Sequence, residues 1–277
     1  MLKVEEMTFS YKRNEYLLNR LNFDITPGGV YGLLGKNGSG KSTLLYLMTG
    51  LMFPKIGRIY IDGVEPRKRL PKTLEQLYLL PEEYDVPATS VDEFIKRNAV
   101  FYPRFSREDF DRYMNIFDLE PVKNMQRVSM GQKKKYLVSF ALATNTALLF
   151  MDEPTNGMDI PSKSQFRKAI ALGMNDERSI VISTHQVRDL ESMIDRVLIL
   201  HNHSMLLNES TMRIAEKLEF INTTDKEELD GCIYSAFTPA GFVGVRPNVT
   251  GVETPVDLEV LFNALITNSD TVTNQFV

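Results

Sequence analysis

A glycine-rich loop at residues 35–42, which reads Gly-Lys-Asn-Gly-Ser-Gly-Lys-Ser, directly follows an apolar run at residues 30–34. Its glycines allow the backbone to curl until successive N–H groups point inward at an anion. A helix that begins at Lys41 adds the positive end of its dipole. We expect Lys41 to reach the β- and γ-phosphates of a nucleotide, and the Ser42 hydroxyl to bind a Mg²⁺ ion between them. The loop therefore predicts a site for ATP or GTP.

Two adjacent carboxylates, Asp152 and Glu153, follow a second apolar run at residues 148–151. In an open α/β sheet the ligand binds at the carboxyl ends of the strands, which is where these acids would lie. We expect Asp152 to hold the Mg²⁺ through water and Glu153 to polarise the attacking water as a general base. An isolated acidic pair could also mark a strand that ends in solvent, but the phosphate loop favours the catalytic interpretation.

A second anion site is predicted at residues 128–132, Val-Ser-Met-Gly-Gln, where a helix-like run to residue 143 begins. The N–H groups of a first helical turn are free to bind phosphate. Taken alone the signal is weak, because serine is a common helix cap and the lysines at 133–135 read as a solvated face. The phosphate loop already holds one nucleotide, so the second site would serve a nucleotide held by another copy of the chain.

The elements that must position these residues alternate between strand and helix patterns. Strand-like runs lie at residues 2–10, 21–25, 30–34, 58–61, 147–151, 179–183 and 196–200, and helix-like runs at 90–143, 165–174, 187–194 and 210–218. Such alternation implies a parallel sheet with helices on its faces. We predict an α/β fold: a P-loop NTPase core with a mostly parallel sheet, an N-terminal antiparallel β portion, a helical insert at about residues 86–140 and a small C-terminal accessory region.

The composition is that of an ordinary globular protein, with 277 residues, 43% of them hydrophobic and 25% charged. The longest apolar runs are far shorter than the roughly 18 residues that span a bilayer. The chain starts without the pattern of a secretory signal, and the single cysteine, Cys232, fits a reducing compartment. We therefore expect a soluble chain in the cytoplasm.

Charge is distributed unevenly, since residues 219–277 hold two basic and nine acidic side chains while the whole chain holds 32 and 36. This break predicts an ATPase domain at residues 1–218 and an acidic accessory domain at 219–277. The totals predict no basic groove for nucleic acid, and the acidic tail disfavours docking on an anionic membrane. A packing stripe or a self-association face is indicated by apolar residues at helical spacing, Leu258, Leu261, Phe262 and Leu265.

In these motifs the chain resembles the nucleotide-binding subunit of an ATP-binding cassette (ABC) transporter of the exporter-like group, over about residues 1–215. The family's elements occur in its order: an aromatic at Tyr11, the phosphate loop at 35–42, the signature at 129–132, the acidic pair at 152–153, a dimer-contacting loop at 156–159 and His185. The resemblance implies that two cassettes close head to tail on two ATP molecules. Each ATP then lies between the phosphate loop of one chain and the signature of the other.

The resemblance also implies a role for individual residues. His185 would contact the γ-phosphate and fix the water together with Glu153, and Lys41 would complete the catalytic set. Mg²⁺ would be held by Ser42, Glu82 and Asp152. Tyr11 would stack on the adenine, although Phe9 and Tyr16 lie nearby and could do so instead. ATP contacts are assigned to Tyr11, Gly35, Lys36, Asn37, Gly38, Ser39, Gly40, Lys41, Ser42, Thr43, Ser129, Gly131 and Gln132.

Two residues depart from the family pattern. Glu82 stands where glutamine is usual, and a carboxylate approaches Mg²⁺ but cannot donate an amide hydrogen bond. By resemblance, glutamate here recurs among exporter-like cassettes. Met130 stands where the signature usually has its first glycine, so its side chain must be accommodated beside a phosphate. We expect this to lower affinity at the closed interface without excluding catalysis.

Taken together, the resemblance implies an ATPase subunit that works as a dimer, most simply a homodimer. It would act with a separate integral membrane permease, peripheral on the inner face of the cell membrane, and export is favoured over import. Two alternatives remain open. One is a soluble ABC-type ATPase of DNA repair, chromosome organisation or translation, which usually has long coiled coils or two cassettes in one chain. The other is a small-molecule kinase, which would have neither the signature nor His185.

Overall fold

The structure is a computed structural model that describes residues 1–13 and 15–276. Its first elements are β1 (Leu2–Phe9), β2 (Leu18–Ile25), β3 (Gly29–Leu34), α1 (Lys41–Met48) and β4 (Ile56–Ile61). β1 pairs antiparallel with β2 on one side and with β4 on the other. Burial nearly alternates along β2, as expected for a strand with one face on the core. The predicted antiparallel portion at the N-terminus is therefore present.

The central sheet joins β3 to β5 (Leu77–Leu80), β6 (Leu148–Asp152), β7 (Ser179–Thr184), β8 (Arg196–His201) and β9 (Ser204–Ser210). Its order is β5-β6-β7-β3-β8-β9, in which β9 runs antiparallel to β8 and the other pairs are parallel. Every residue of β3, β6 and β7 is buried, because the sheet is covered on both faces. The mostly parallel sheet that the sequence predicts is confirmed.

Helices cover one face of this sheet, and α1 with the antiparallel sheet covers the other. The helices that follow α1 are α2 (Pro71–Leu74), α3 (Val91–Asn98), α4 (Arg107–Ile116), α5 (Met130–Ala143) and α6 (Ile160–Gly173). Serine hydroxyls cap α3, α4 and α5, each accepting a hydrogen bond from a backbone N–H in the first turn. Across residues 1–13 and 15–276, no helix is both long and apolar enough to cross a bilayer.

The segment after β7 corrects the prediction of a helix at residues 187–194. The structure forms two separate 3₁₀ turns there, Val187–Asp189 and Glu191–Met193. Glu191 Oε1 accepts a hydrogen bond of 2.6 Å from the Leu258 N–H, and Arg188 Nε pairs with Glu259 Oε2 at 2.5 Å. These contacts with the C-terminal region hold the segment in shape, so tertiary structure overrides the helical spacing of its apolar residues.

The C-terminal region forms a second small antiparallel sheet and a helical hairpin. Its elements are α7 (Thr211–Lys217), β10 (Leu218–Thr223), β11 (Tyr234–Thr238), β12 (Gly241–Pro247), α8 (Leu258–Thr267) and α9 (Ser269–Thr273). β12 lies between β10 and β11. On α8, Leu258, Leu261 and Leu265 are at most 1% exposed and join the hydrophobic core that includes β8. Three of the four residues of the predicted stripe are therefore buried within the chain, and the fourth, Phe262, is half-buried against the same core.

A buried arginine joins the C-terminal ends of α5 and α6. Arg178 is 2% exposed, and its guanidinium donates to Leu142 O at 3.0 Å, Gly173 O at 3.1 Å and Ala141 O at 3.3 Å. The last carbonyls of a helix have no partner within it and carry the negative end of its dipole. Burial lowers the pKa of Arg178 to about 10, so the side chain stays charged at neutral pH and satisfies both helix ends.

Replacement of Arg178 tests whether its hydrogen bonds to the ends of α5 and α6 stabilise the fold. We expect Arg178→Met to lower the free energy of unfolding by about 3 kcal/mol, because three buried carbonyls lose their donor. Thermal unfolding followed by circular dichroism measures the change. The matched control is Arg97→Met, which removes an exposed helical ion pair with Glu93 and should cost under about 1 kcal/mol. Equal melting temperatures for the Arg178 variant and the parent would contradict the role.

Candidate nucleotide-binding and hydrolysis site

The loop between β3 and α1 is shaped by its glycines. Gly38 and Gly40 have φ of 78° and 102°, a backbone region that strains any residue with a Cβ. A Cβ at Gly35 would lie 2.5 Å from Ser39 Oγ, so the loop also needs glycine there for space. At Gly38 a Cβ would meet nothing within 4 Å, which shows that the loop opens outward at that point.

Polar groups in this loop are held ready for an anion. No side chain caps the start of α1 at Gly40, so the N–H groups of its first turn face the loop. Ser39 Oγ is buried and has no hydrogen-bond partner among the described residues. Lys41 Nζ bends back to donate to Gly35 O at 2.9 Å and to Lys36 O at 3.4 Å. A phosphate would fit this cradle, because it would accept hydrogen bonds from the first-turn N–H groups, from the Ser39 hydroxyl and from Lys41 Nζ.

A pocket of about 560 Å³ extends from the loop across the carboxyl ends of the strands. It brings together residues that lie far apart in the sequence. Its lining residues are Tyr11, Leu17, Asn37, Gly38, Gly40, Lys41, Ser42, Thr43, Glu82, Glu153, Asn156 and His185. Most of the residues that the sequence assigns to one nucleotide therefore share a single pocket.

Tyr11 lies at the edge of this pocket. Its ring is 64% exposed, its hydroxyl is 2.9 Å from Thr43 Oγ1, and its edge meets the Phe9 ring at 5.0 Å between centroids. Phe9 is buried in the core, while Tyr16 is exposed. Of the three aromatics left open by the sequence, Tyr11 is thus the one with both an exposed ring and a contact to the loop helix.

The two carboxylates of the acidic pair lie in different environments. Asp152 is 1% exposed and accepts a hydrogen bond from the Ser183 hydroxyl. Glu153 Oε1 lies 2.8 Å from His185 Nδ1 and 3.8 Å from Lys41 Nζ. The backbone of Glu153 has φ of 44°, a left-handed conformation that a non-glycine residue adopts at a cost and that is often found at functional sites. Glu153 and His185 thus form a hydrogen-bonded pair facing Lys41.

Lys41 has an unusual electrostatic environment for a lysine. Burial lowers its pKa, and the carboxylates of Glu153, Asp152 and Glu82 oppose that shift in this order. Of the predicted metal contacts, Ser42 and Glu82 line the pocket, whereas Asp152 is buried at the end of β6 and is not among the lining residues. Within the described ranges, no group of three or more His, Cys, Asp or Glu residues forms a metal cage. A hydroxyl and one or two carboxylates still fit Mg²⁺, which takes its other ligands from phosphates and water.

The signature residues lie elsewhere in the chain. Ser129 caps α5 in a reciprocal arrangement: its hydroxyl accepts from Gln132 N–H at 3.2 Å, and Gln132 Oε1 accepts from Ser129 N–H at 3.1 Å. The Ser129 hydroxyl keeps its own proton for another acceptor. Met130 is 66% exposed, and a Cβ at Gly131 would meet nothing within 4 Å. None of these residues lines the nucleotide pocket of the same chain.

The contacts of two residues near Glu153 differ from the sequence interpretation, which placed Lys134 on a solvated face and Asn156 in a dimer-contacting loop. Lys134 is 5% exposed, and its Nζ donates to Glu153 O at 2.9 Å, which corrects the interpretation of all three lysines as solvated. Asn156 Nδ2 donates to Glu82 Oε1 at 3.0 Å. A signal for Lys134 existed, because it lies three and four residues before Leu137 and Val138 and so shares their buried helical face.

Comparisons with known proteins agree with the resemblance that the motifs indicate. A family model described as ABC transporter matches residues 18–156. The ABC transporter ATP-binding protein YtrB of Bacillus subtilis is 27% identical over 291 aligned positions, which cover 95% of this chain and 97% of YtrB. An ABC transporter ATP-binding protein of Bacillus cereus is 31% identical over 82% of this chain, but the chain spans only 42% of that relative.

Solved structures share the fold. Protein cbiO1 of Clostridium perfringens, described as part of the ABC transporter complex cbiONQ, is 27% identical with a TM-score of 0.64. The match covers 76% of this chain and 88% of cbiO1. A dimeric structure of the ATP-binding cassette MJ0796 bound to ADP and Pi is 23% identical with a TM-score of 0.67, over 76% of this chain and 98% of that one. The predicted P-loop NTPase fold is confirmed.

Substitution of Lys41 tests the assignment of the loop at residues 35–42 as a phosphate-binding site. We expect Lys41→Ala to lower ATP affinity by at least about 100-fold, because charge-assisted hydrogen bonds to phosphate are lost and each contributes about 1.5–3 kcal/mol. Titration of a fluorescent ATP analogue measures the affinity. Lys12→Ala removes an exposed positive charge beside Tyr11 and serves as the control. Unchanged affinity in the Lys41 variant would rule out the assignment of this loop.

Proposed function

The chain belongs to the ABC transporter family, whose ATP-binding cassettes hydrolyse ATP, and we propose that it closes head to tail with a second copy and drives a membrane permease. One observation carries this proposal. The Glu153–His185 pair, 2.8 Å apart, lies beside the Lys41 ammonium group, 3.8 Å from Glu153 Oε1, in the pocket that begins at the phosphate loop. A carboxylate, an imidazole and a cation at these positions suit the in-line attack of water on a γ-phosphate.

We assign the hydrolytic steps to residues on this geometry. When ATP enters, Lys41 Nζ exchanges its carbonyl partners, Gly35 O and Lys36 O, for oxygens of the β- and γ-phosphates. Glu153 accepts a proton from the attacking water, and His185 holds the Glu153 carboxylate in place through Nδ1. A bound Mg²⁺ would neutralise phosphate charge, with Ser42, Glu82 and Asp152 as the residues nearest to it.

The position of the signature supports a shared site. Ser129 caps α5 and keeps its hydroxyl proton for another acceptor, yet Ser129, Gly131 and Gln132 do not line the pocket that holds the phosphate loop of the same chain. A helix start binds phosphate well only when an anion reaches it. A second copy would deliver that anion, and the MJ0796 cassette, which has the same fold, is described as dimeric with ADP and Pi bound. Two identical chains suffice for this arrangement, so we propose a homodimer.

Replacement of the general base tests hydrolysis and dimerisation together. Glu153→Gln should keep ATP binding and lower turnover by at least about 100-fold, because the amide cannot accept the proton from water. Unhydrolysed ATP should then accumulate a dimer on a sizing column. Glu177→Gln, an exposed change of the same kind, is the control. Hydrolysis at the parent rate in the Glu153 variant would show that another group is the base.

A second surface supports the proposal of a permease partner. A groove of about 470 Å³ lies between α1, α2, β5 and the end of α3. It is lined mainly by apolar residues, Leu51, Pro71, Leu74, Leu77, Leu79, Val100, Phe101 and Tyr102, with Thr49, Arg69 and Glu75. Val100 and Phe101 are 73% and 65% exposed, and a concave apolar patch of this kind favours a protein partner.

The groove is also connected to the nucleotide pocket. Strand β5 contributes Leu77 and Leu79 to the groove and leads directly to Glu82, which lines the pocket. We propose that a cytoplasmic segment of a permease occupies the groove, so that this chain works peripherally on the inner face of the membrane. We propose export as the direction, on the resemblance of Glu82 to exporter-like cassettes. The membership of cbiO1 in a transporter complex supports the permease partner.

A negative charge introduced into the groove by substitution should prevent docking on the permease without affecting ATP hydrolysis. We expect Phe101→Glu to leave ATP hydrolysis by the purified chain within about twofold, because the groove does not touch the nucleotide. The variant should lose sedimentation with native membranes and lose its membrane-spanning partner on affinity purification. Phe237→Glu changes another exposed phenylalanine, on β11, and should keep both the sedimentation and the partner. Recovery of the same partner by the Phe101 variant would show that the groove is not the docking site.

A further inference from the structure

The segment that follows His185 is held by two helices from different parts of the chain. This connecting segment, residues 186–194, contains the two 3₁₀ turns described above. Helix α6 contacts it at Asp189, whose backbone carbonyl accepts a hydrogen bond from Arg167 at 3.1 Å and whose carboxylate lies 2.6 Å from Lys163 Nζ. The start of α8 contacts it at two other residues. The shape of the connecting segment therefore depends on both helices.

The contacts with α8 join the connecting segment to the C-terminal region. Glu191 Oε1 accepts a hydrogen bond of 2.6 Å from the Leu258 N–H, and Arg188 Nε pairs with Glu259 Oε2 at 2.5 Å. An N–H group in the first turn of a helix has no partner within the helix, so a carboxylate is favourable there. Leu258 is 1% exposed and packs in the hydrophobic core, so this end of α8 is a firm support.

A cavity brings α8 close to His185. It has a volume of about 490 Å³ and is lined by residues that include His185 and the first 3₁₀ turn of the connecting segment. Helix α8 contributes Glu259, Phe262 and Asn263 to the same lining. His185 also lines the nucleotide pocket. The imidazole therefore lies between the nucleotide pocket and a cavity that α8 helps to enclose.

The His185 ring is held by hydrogen-bonding groups more than by burial. Its side chain is 34% exposed, and its Nδ1 lies 2.8 Å from Glu153 Oε1. Its Nε2 lies 3.4 Å from the amide nitrogen of Gln186, the first residue of the connecting segment. The Gln186 side chain accepts in turn from Lys163 Nζ at 3.3 Å. A change in the backbone of the connecting segment would therefore displace the ring from Glu153.

We propose that Glu191 and Arg188 are positioning residues, through which α8 holds the connecting segment and thereby the His185 ring against Glu153. This proposal rests on the role proposed above for His185 in ATP hydrolysis. Neither Glu191 nor Arg188 is among the residues that line the nucleotide pocket. The C-terminal region then supports hydrolysis from outside the pocket, because a small misplacement of a catalytic group lowers the rate strongly.

Replacement of Glu191 tests the contact with the α8 backbone. Glu191→Ala should lower kcat by about fivefold and change KM for ATP by less than about twofold, because His185 acts on hydrolysis and the phosphate loop is untouched. Glu191→Gln keeps an oxygen that accepts from the Leu258 N–H and should recover at least about half of the parent kcat. Glu219→Ala removes an ion pair with Arg246, between β10 and β12, and should keep the parent kcat. Parent kcat in Glu191→Ala, or equal losses in the Ala and Gln variants, would overturn the proposal.

A charge-reversal cycle tests the contact between side chains. Arg188→Glu and Glu259→Arg each place like charges together and should lower kcat by about threefold, a modest effect because both side chains are largely exposed. The double variant restores the opposite charges and should return to within about 1.5-fold of the parent. A double variant near the product of the two single effects, or single variants with the parent kcat, would refute the role of Arg188. This cycle also keeps the proposal testable if Glu191→Ala fails to fold.

Nuclear magnetic resonance of the histidines separates this proposal from the proposed function. The full chain has three histidines, His185, His201 and His203, so ¹⁵N labelling of imidazole gives few signals. Without nucleotide, the His185 signals should move in Glu191→Ala and stay in place in Glu219→Ala, while those of the other two histidines stay in place in both. Moved His185 signals in a chain whose parent does not hydrolyse ATP would uphold the positioning and refute the ATPase assignment. Hydrolysis by the parent with unmoved His185 signals would refute the positioning alone, even if kcat falls.

Discussion

The register of three parallel strands is the constraint on which the site depends. β3 and β6 both pair with β7, so Leu34 lies opposite Thr184 and Asp152 opposite Ser183. All three strands therefore end at one edge, where the phosphate loop, the acidic pair and His185 follow directly in the chain. A shift of one residue would turn Asp152 to the other face of the sheet. The hydrogen bond from the Ser183 hydroxyl to Asp152 Oδ1 joins β7 to β6 in the observed register.

At this edge, contacts within the chain fix the conformations of Glu153 and Lys41. Glu153 is kept in a left-handed backbone conformation, and Lys41 is turned back onto the carbonyls of its own loop. The left-handed backbone of Glu153 costs free energy, as is common at functional sites. The carbonyl partners of Lys41 would be replaced by phosphate oxygens when a nucleotide binds. The apolar groove connects to this edge through β5 and Glu82, and the signature helix, α5, contacts it through Lys134. The proposed second copy and permease would therefore act on the site through surfaces that adjoin it.

Local patterns carried most of the sequence prediction. The phosphate loop is defined by glycines that are adjacent in the chain, and the acidic pair by the strand that precedes it, so both could be placed from the sequence. Lys134 was missed because three consecutive lysines look solvated, although its spacing of three and four residues from Leu137 and Val138 places it on the buried face of α5. The bond between Asn156 and Glu82 joins residues 74 positions apart and depends on the packing of two loops. The helix predicted at 187–194 failed because contacts with α8 reshape that segment.

The central claim is that the nucleotide is closed by the phosphate loop of one chain and the signature of another. The most direct measurement is crosslinking between two variants in a Cys232→Ser, Glu153→Gln background: one with Asn37→Cys in the loop, the other with Met130→Cys in the signature. Both positions are exposed. With ATP and a short thiol-specific crosslinker, the account predicts covalent dimers in the mixture and none in either variant alone. Crosslinked dimers within a single variant, or none in the mixture, would contradict it.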